Sequence, residues 1–268
     1  MEILLSNDDG VYAEGIAALF TAMSAIEKAH ITVVAPLEER STTGHTLSLT
    51  NPLRLVHIKE NFYGCSGYPA DCVILAIGEI YHRQGKRPDL VISGINKGAN
   101  LGTDIYYSGT AAAAREAIFQ GVPAIAISST VNMFDHLDST ECFATAADFV
   151  KKLVQSGIHK KLSPYTFINI NVPNLRSEEI KGVRVTRLGW RKYSEQIEAR
   201  LDFRQRPYYW IVGNYITQEN GEYLDGPTIL NGEISITVLN LLHRQDDTED
   251  KIKAFIKELY EKNIFKFN

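Results

Sequence analysis

Five short apolar runs, "EILLS", "ITVVAP", "DLVIS", "PAIAIS" and "TFININV", recur along the first 175 residues with helix-length segments between them. This alternation constrains the fold more than any other feature. Each run is too short for a helix and rich in Ile and Val, so it reads as a strand covered on both faces. After the first run, Ile16, Ala17, Leu19, Phe20, Met23 and Ile26 fall at amphipathic helical spacing, and helix-compatible patterns return at residues 72–81 and 141–155. "AAAAREAIF" is a strong helix former, closed by Gly121 ahead of Pro123. Strand, helix and strand in repeated order predict an α/β fold: a doubly wound, mainly parallel sheet with helices on its faces. "TLSLT" and "LRLVHIK" alternate instead, which predicts an exposed antiparallel excursion outside the parallel core.

Past Pro173 the texture changes. "GVRVTRLG", "YYWIVG" and "EISITVL" read as separated strands, and only the tail from about Asp247 reads as a helix, with Ile252, Phe255, Ile256 and Leu259 on one stripe. That stripe needs a groove, on its own subunit or on a neighbour's. The expected division is a core of residues 1–175 and a β-rich extension with a terminal helix, residues 176–268.

Charge and cysteine usage exclude several classes. The 268 residues carry 28 Lys and Arg against 32 Asp and Glu, a formal charge of −4, with no basic stripe for many phosphates. Extended nucleic acid is therefore not an expected partner, whereas a single small phosphate is compatible. Cys65, Cys72 and Cys142 show no C-x-x-C spacing, so neither a disulfide framework nor a structural zinc site is expected. No apolar run reaches membrane-spanning length, and no charged and apolar leader precedes the first strand, so a cytoplasmic protein without a membrane partner is expected.

Ligands of open parallel sheets collect beyond the carboxyl ends of the strands, where strand order reverses. Three unusual loops follow strands here. In "SNDDG", Asp8 and Asp9 are hard oxygen donors whose mutual repulsion a dication would convert into attraction; the same residues also suit a turn that caps a helix. "LEERSTTGH" offers Ser41, Thr42 and Thr43, then Gly44 and His45, either as a site or as solvated loop. "GINKGANLGTDIYYSGT" carries Gly94, Gly98, Gly102 and Gly109 with Asn96, Asn100, Ser108 and Thr110. Its end opens the alanine-rich helix, where unsatisfied N–H groups favour an anion, although Ser108 also serves as an ordinary cap. Lys97 in the same loop reads more readily as a solvated charge than as a phosphate partner. Neither GxxxxGK[ST] nor GxGxxG occurs, which argues against a Walker-type NTPase and a nicotinamide dehydrogenase.

Together "ILLSNDDG", "VVAP..ERS..GH", "PDLVISGIN.G.NLG", "YSGTAAAAREA" and "FININVP" closely resemble the SurE (survival protein E) family from the first residues to about Leu188, and more weakly through "EISIT" to Leu239. The resemblance implies a Rossmann-like domain, a C-terminal extension that exchanges elements between subunits, and a homodimer or homotetramer. It also implies hydrolysis of nucleoside 5′- and 3′-monophosphates to nucleoside and phosphate with one divalent cation per subunit, Mg²⁺ or Mn²⁺, and a possible side activity on short polyphosphate. By motif, Asp8, Asp9, Ser41 and Asn96 would ligate the metal, with Asp8, Asp9 and Asn96 also catalytic. Ser108, Gly109 and Thr110 would hold the phosphate, with Gly44 and His45 lining the same pocket and His45 a candidate proton donor to the leaving ribose oxygen. Two departures fall in "GEISITVL": Glu233 where the family usually has an aromatic, and Leu239 where it usually has proline. A nucleotide sensor without turnover would keep the pocket and lose the chemistry. A receiver-like Mg²⁺ module would need a phosphoacceptor Asp at a later strand end, where "DLVIS" instead gives Ser93 and Gly94.

Overall fold

The structure, a computed structural model, describes residues 1–131, 139–242 and 248–264. The chain opens with β1 (Glu2–Ser6), α1 (Glu14–Ser24), β2 (His30–Pro36), β3 (Leu55–Lys59), β4 (Phe62–Cys65) and α2 (Pro69–Leu75), the last running into a π-helical turn at Ala76–Tyr81. It continues with β5 (Leu90–Lys97), α3 (Gly109–Phe119), β6 (Ala124–Ser129), α4 (Ser139–Gln155), β7 (Thr166–Val172) and β8 (Gly182–Thr186). Then come β9 (Arg191–Tyr193), β10 (Ile197–Leu201), β11 (Pro207–Ile211), β12 (Tyr215–Gln218), α5 (Asp225–Leu230), β13 (Glu233–Asn240) and α6 (Thr248–Glu261).

Nine strands form one sheet in the order β3-β4-β2-β1-β5-β6-β7-β13-β8. β1 lies parallel between β2 and β5, so strand order reverses beside it. The five apolar runs are its central strands, and β6 and β7 are buried at every position, which is why they lack alternation. Apolar side chains pack on both faces: Ile16, Leu19, Phe149 and Leu153 on one, Val73, Ile77, Ala113 and Ala117 on the other.

Two expectations change, and one left open is answered. Residues 46–50 form no strand, and β3 pairs instead with β4, which itself lies parallel to β2, so the antiparallel excursion is the edge of the main sheet. The sheet also runs across residue 175. β13 pairs antiparallel with β7 and parallel with β8, which leaves residues 191–218 as the part built apart from it, in two ribbons, β9 with β12 and β10 with β11. Finally, the stripe of α6 is covered by its own chain: Ile252, Phe255, Ile256 and Leu259 join the same core cluster as Ile168 and Ile180, and Lys161 lies 5.6 Å from the Phe255 ring. Phe255→Ala should therefore destabilise the monomer fold by about 3–5 kcal/mol, read by denaturant unfolding. A loss below about 1 kcal/mol would contradict this packing.

Of the two departures in "GEISITVL", Glu233 is accommodated locally. Glu233 takes Arg184 in a two-pronged ion pair, 2.9 and 3.2 Å, along the parallel β8–β13 edge. Among the described residues no helix is long and apolar enough to cross a membrane.

Candidate active site

At the end of β1 the Asn7 side chain closes its own turn: its amide donates to the Gly10 carbonyl at 2.9 Å and its oxygen accepts from the Gly10 N–H at 3.2 Å. Gly10 sits at φ +104°, which a side chain would strain. The turn buries Asp8, only 4% exposed, beneath the partly buried Asp9. Both then tie the neighbouring loops together. Arg40 N–H donates to the Asp8 carbonyl at 2.7 Å, and Lys97 N–H donates to Asp9 Oδ2 at 3.2 Å. The Thr110 hydroxyl donates to Asp8 Oδ1 at 2.5 Å. All three loops identified in the sequence thus meet at one doublet.

Burial pushes the Asp8 carboxyl up to about 6, with the Asp9 charge adding and the Thr110 hydroxyl and backbone N–H opposing. Asp9 is also raised by burial, assisted by Glu39 and opposed by the Lys97 N–H. Two carboxylates held together at this cost in desolvation form a site prepared for a positive charge.

Ser41 and Asn96 face the same cavity as Asp8. Asn96 donates its amide to the Gly98 carbonyl at 2.8 Å, which leaves Oδ1 as its donor toward a cation, while the Ser41 hydroxyl donates to Glu39 at 2.7 Å. Among the described residues no group of three or more His, Cys, Asp and Glu side chains is placed to hold a metal ion by itself. A cation here would rest on Asp8, Asp9 and neutral oxygens, a hard donor set that suits Mg²⁺ or Mn²⁺ keeping several waters.

The start of α3 is arranged differently from the sequence expectation. Ser108 caps the helix, its oxygen accepting from Ala111 N–H at 3.0 Å, and it lines the cavity. Gly109 and Thr110 lie behind it against Asp8, whose Oδ1 receives the hydroxyl of Thr110. The first turn of α3 therefore steadies a protein carboxylate, and of the three SGT residues only Ser108 reaches the cavity wall.

Gly44 is strapped to the loop before α3 by its N–H to the Tyr107 carbonyl, 2.9 Å. His45 turns the other way. Its Nε2 lies 2.9 Å from Glu116 Oε2, and it lines a separate cavity of about 560 Å³ with Tyr106, Arg115 and Phe119. It does not share the wall that carries Asp8, so the structure separates it from the reacting end.

The cavity at Asp8 measures about 760 Å³, and its far wall comes from the extension: Trp190, Arg191, Tyr193, Ser194, Ile211 and Gly213. None of these residues belongs to the motifs that mark the site in the sequence. Buried Asp225 holds that wall to the sheet edge, accepting from the N–H groups of Gly102 at 2.6 Å and Gly189 at 3.0 Å. Asp104 in turn accepts from Arg191 Nη1 and the Tyr193 hydroxyl, each at 2.5 Å. The only cue in the sequence was the aromatic and basic "GWRKY" directly after a strand.

Comparison with known proteins agrees with this architecture. The family model described as survival protein SurE matches residues 3–195. A protein of Carboxydothermus hydrogenoformans named 5′-nucleotidase SurE is 42% identical over 264 residues, covering 97% of each chain. Another of that name from Vibrio vulnificus is 42% identical over 258 residues, covering 96% of each. The crystal structure of the SurE protein from Aquifex aeolicus matches with a TM-score of 0.75 at 40% identity, across 97% of this chain and all of the other. With the family model matching most of the chain and relatives of about 40% identity matching nearly its full length, the chain belongs to the survival protein SurE family.

Proposed function

We propose that the chain is a 5′-nucleotidase that hydrolyses nucleoside 5′-monophosphates, and 3′-monophosphates as well, to nucleoside and phosphate with one Mg²⁺ or Mn²⁺ per subunit. The observation that carries this reading is the buried Asp8 beside Asp9, with Asn96 and Ser41, at the switch point of a parallel sheet and at one end of a cavity larger than a phosphate needs. The names of the relatives, 5′-nucleotidase SurE, support the same substrate class.

Asp8, Asp9, Asn96 and Ser41 would hold the cation. When bound, it neutralises charge on the phosphoryl oxygens and lowers the pKa of a water. Phosphoryl transfer runs through a loose transition state, so the protein's part is positioning and charge stabilisation. Asp8 cannot swing freely, because Thr110 and the loop before Arg40 fix it on two sides. Ser108 uses its oxygen to accept from Ala111, which leaves its hydroxyl hydrogen to donate to a phosphoryl oxygen at the cavity wall. Asp9, less buried and held through one oxygen by Lys97 N–H, keeps its second oxygen to orient the attacking water. Action on short polyphosphate is compatible with the same charge arrangement. Assembly as a homodimer or homotetramer is supported by the β10–β11 ribbon, exposed at every position and carrying Ile197, Leu201, Tyr209 and Trp210 outward.

Phosphate release from AMP tests the reading. Turnover should stop with a chelator and return with Mg²⁺ or Mn²⁺. Nucleotide binding with no release of phosphate under any divalent cation would identify a sensor instead.

A further inference from the structure

The outer wall of the Asp8 cavity holds an exposed indole on an immobilised backbone. Trp190 is 65% exposed and lines the cavity. Its backbone is nevertheless pinned at three successive residues: Gly189 N–H to Asp225 at 3.0 Å, Trp190 to Glu219 through both its N–H (3.2 Å) and its carbonyl (2.8 Å), and Arg191 N–H to Thr103 Oγ1 at 3.4 Å. An indole left in water on a rigid stem is a preorganised surface for a flat apolar group.

Most of the polar groups around it are already committed. Asp104 is taken by Arg191 and Tyr193, and the guanidinium of Arg191 lies 4.9 Å from the Tyr215 ring, its Nε buried without a hydrogen-bond partner and so out of reach of a base edge. The Thr103 hydroxyl donates to the Arg191 carbonyl at 3.1 Å, and the Ser194 oxygen accepts from Asn214 N–H at 2.8 Å, which leaves only its hydroxyl hydrogen to donate. Asn100, deeper in the wall and 7% exposed, donates its side-chain amide to Ser128, while its backbone N–H and carbonyl are taken by Asn171 and Asn169. The wall offers an aromatic face and few free hydrogen-bonding groups for a base edge.

We infer that Trp190 is the platform on which the substrate's base stacks, and that the enzyme selects nucleotides by their aromatic face, tolerating different base edges and favouring purines by stacking area. This rests on the nucleotidase reading above and adds the specificity-determining residue. Stacking of a base on an aromatic side chain contributes about 1–3 kcal/mol, which corresponds to about 5- to 150-fold in affinity.

The test compares AMP, CMP and ribose 5-phosphate with wild type, Trp190→Ala and Trp190→Phe under saturating Mn²⁺. Trp190→Ala should lower kcat/KM for AMP relative to ribose 5-phosphate by about 5- to 150-fold, chiefly through KM, and should shrink the preference for AMP over CMP; Trp190→Phe should restore much of both. In a Trp210→Phe background, adenosine should quench the remaining Trp190 fluorescence, a binding signal that needs no turnover. If wild type hydrolyses AMP but the selectivity ratio is unmoved in Trp190→Ala and adenosine does not quench, the inference falls and the nucleotidase reading stands. If wild type releases no phosphate from AMP, the nucleotidase reading itself falls. A change of oligomeric mass in Trp190→Ala with an unchanged ratio would assign the indole to subunit contact and also overturn the inference.

Discussion

Asp8→Asn is expected to lower phosphate release from AMP by about 10³-fold or more and, at the same time, to stabilise chelator-treated protein at neutral pH. The loss follows from removing one of two charges that would hold the cation, since a metal's charge stabilisation is worth several kcal/mol and about 4 kcal/mol corresponds to 10³-fold. The gain follows from linkage. Burial raises the Asp8 carboxyl from 3.8 to about 6, so across that window the folded chain holds a proton that the unfolded chain has released. Stability therefore falls as pH rises from about 4 to 6, by about 3 kcal/mol in total, and this deficit persists above pH 6. Asparagine carries no charge to bury and still offers an oxygen to the Thr110 hydroxyl, so it removes the deficit without undoing the contact. Unfolding with chelator present should show a stability gap between variant and wild type that is widest above pH 6 and closes toward pH 4. Asp9→Asn should lose comparable activity with a smaller change in stability, because Asp9 is less buried. Near-normal turnover in both variants would remove the metal assignment, and a gap independent of pH would remove the account of burial.

What the sequence disclosed, and what it did not, follows from how far each signal reaches along the chain. Central strands such as β6 and β7 were legible because burial on both faces leaves an uninterrupted apolar run. β4 was not, since "FYGC" is four residues long with a glycine inside it, and only its pairing with β2 and β3 makes it a strand. β13 was legible as a strand but not in its place between β7 and β8, because register and neighbours belong to the assembled sheet. The same limit applies at the site. Asp8 and Asp9 stand out because two adjacent carboxylates at a strand end are costly without a purpose. Trp190, Arg191 and Tyr193 do not stand out: they reach the cavity only through the Asp225 clamp on Gly102 and Gly189 and the pairing of Arg191 with Asp104. His45 follows Gly44 in sequence, yet Gly44 at φ +57° turns the chain, and Glu116 on α3 takes the imidazole to the other cavity.

Gly109→Ala should reduce kcat/KM by about 10²-fold and weaken Mn²⁺ binding while leaving the sheet and helices intact. By helix propensity alone the change would be favourable by about 1 kcal/mol, because Gly109 opens α3 and its φ lies outside the left-handed region. The cost lies across the gap to the first loop. A methyl at residue 109 would stand 2.7 Å from Asp8 Cβ and 2.8 Å from Asp8 Oδ2, closer than carbon and oxygen atoms tolerate. Either α3 retreats, stretching the 2.5 Å bond from Thr110 to Asp8, or the carboxylate rotates away from the cavity that it lines. A displacement of about 1 Å at a reacting group can cost about 10²-fold in rate. Steady-state kinetics and a Mn²⁺ titration check the prediction together, and Gly109→Ser should be no milder, having the same Cβ. Wild-type metal affinity and turnover in Gly109→Ala would mean that Asp8 can move without consequence. The role of α3 would then be reduced from holding the carboxylate in place to merely passing near it.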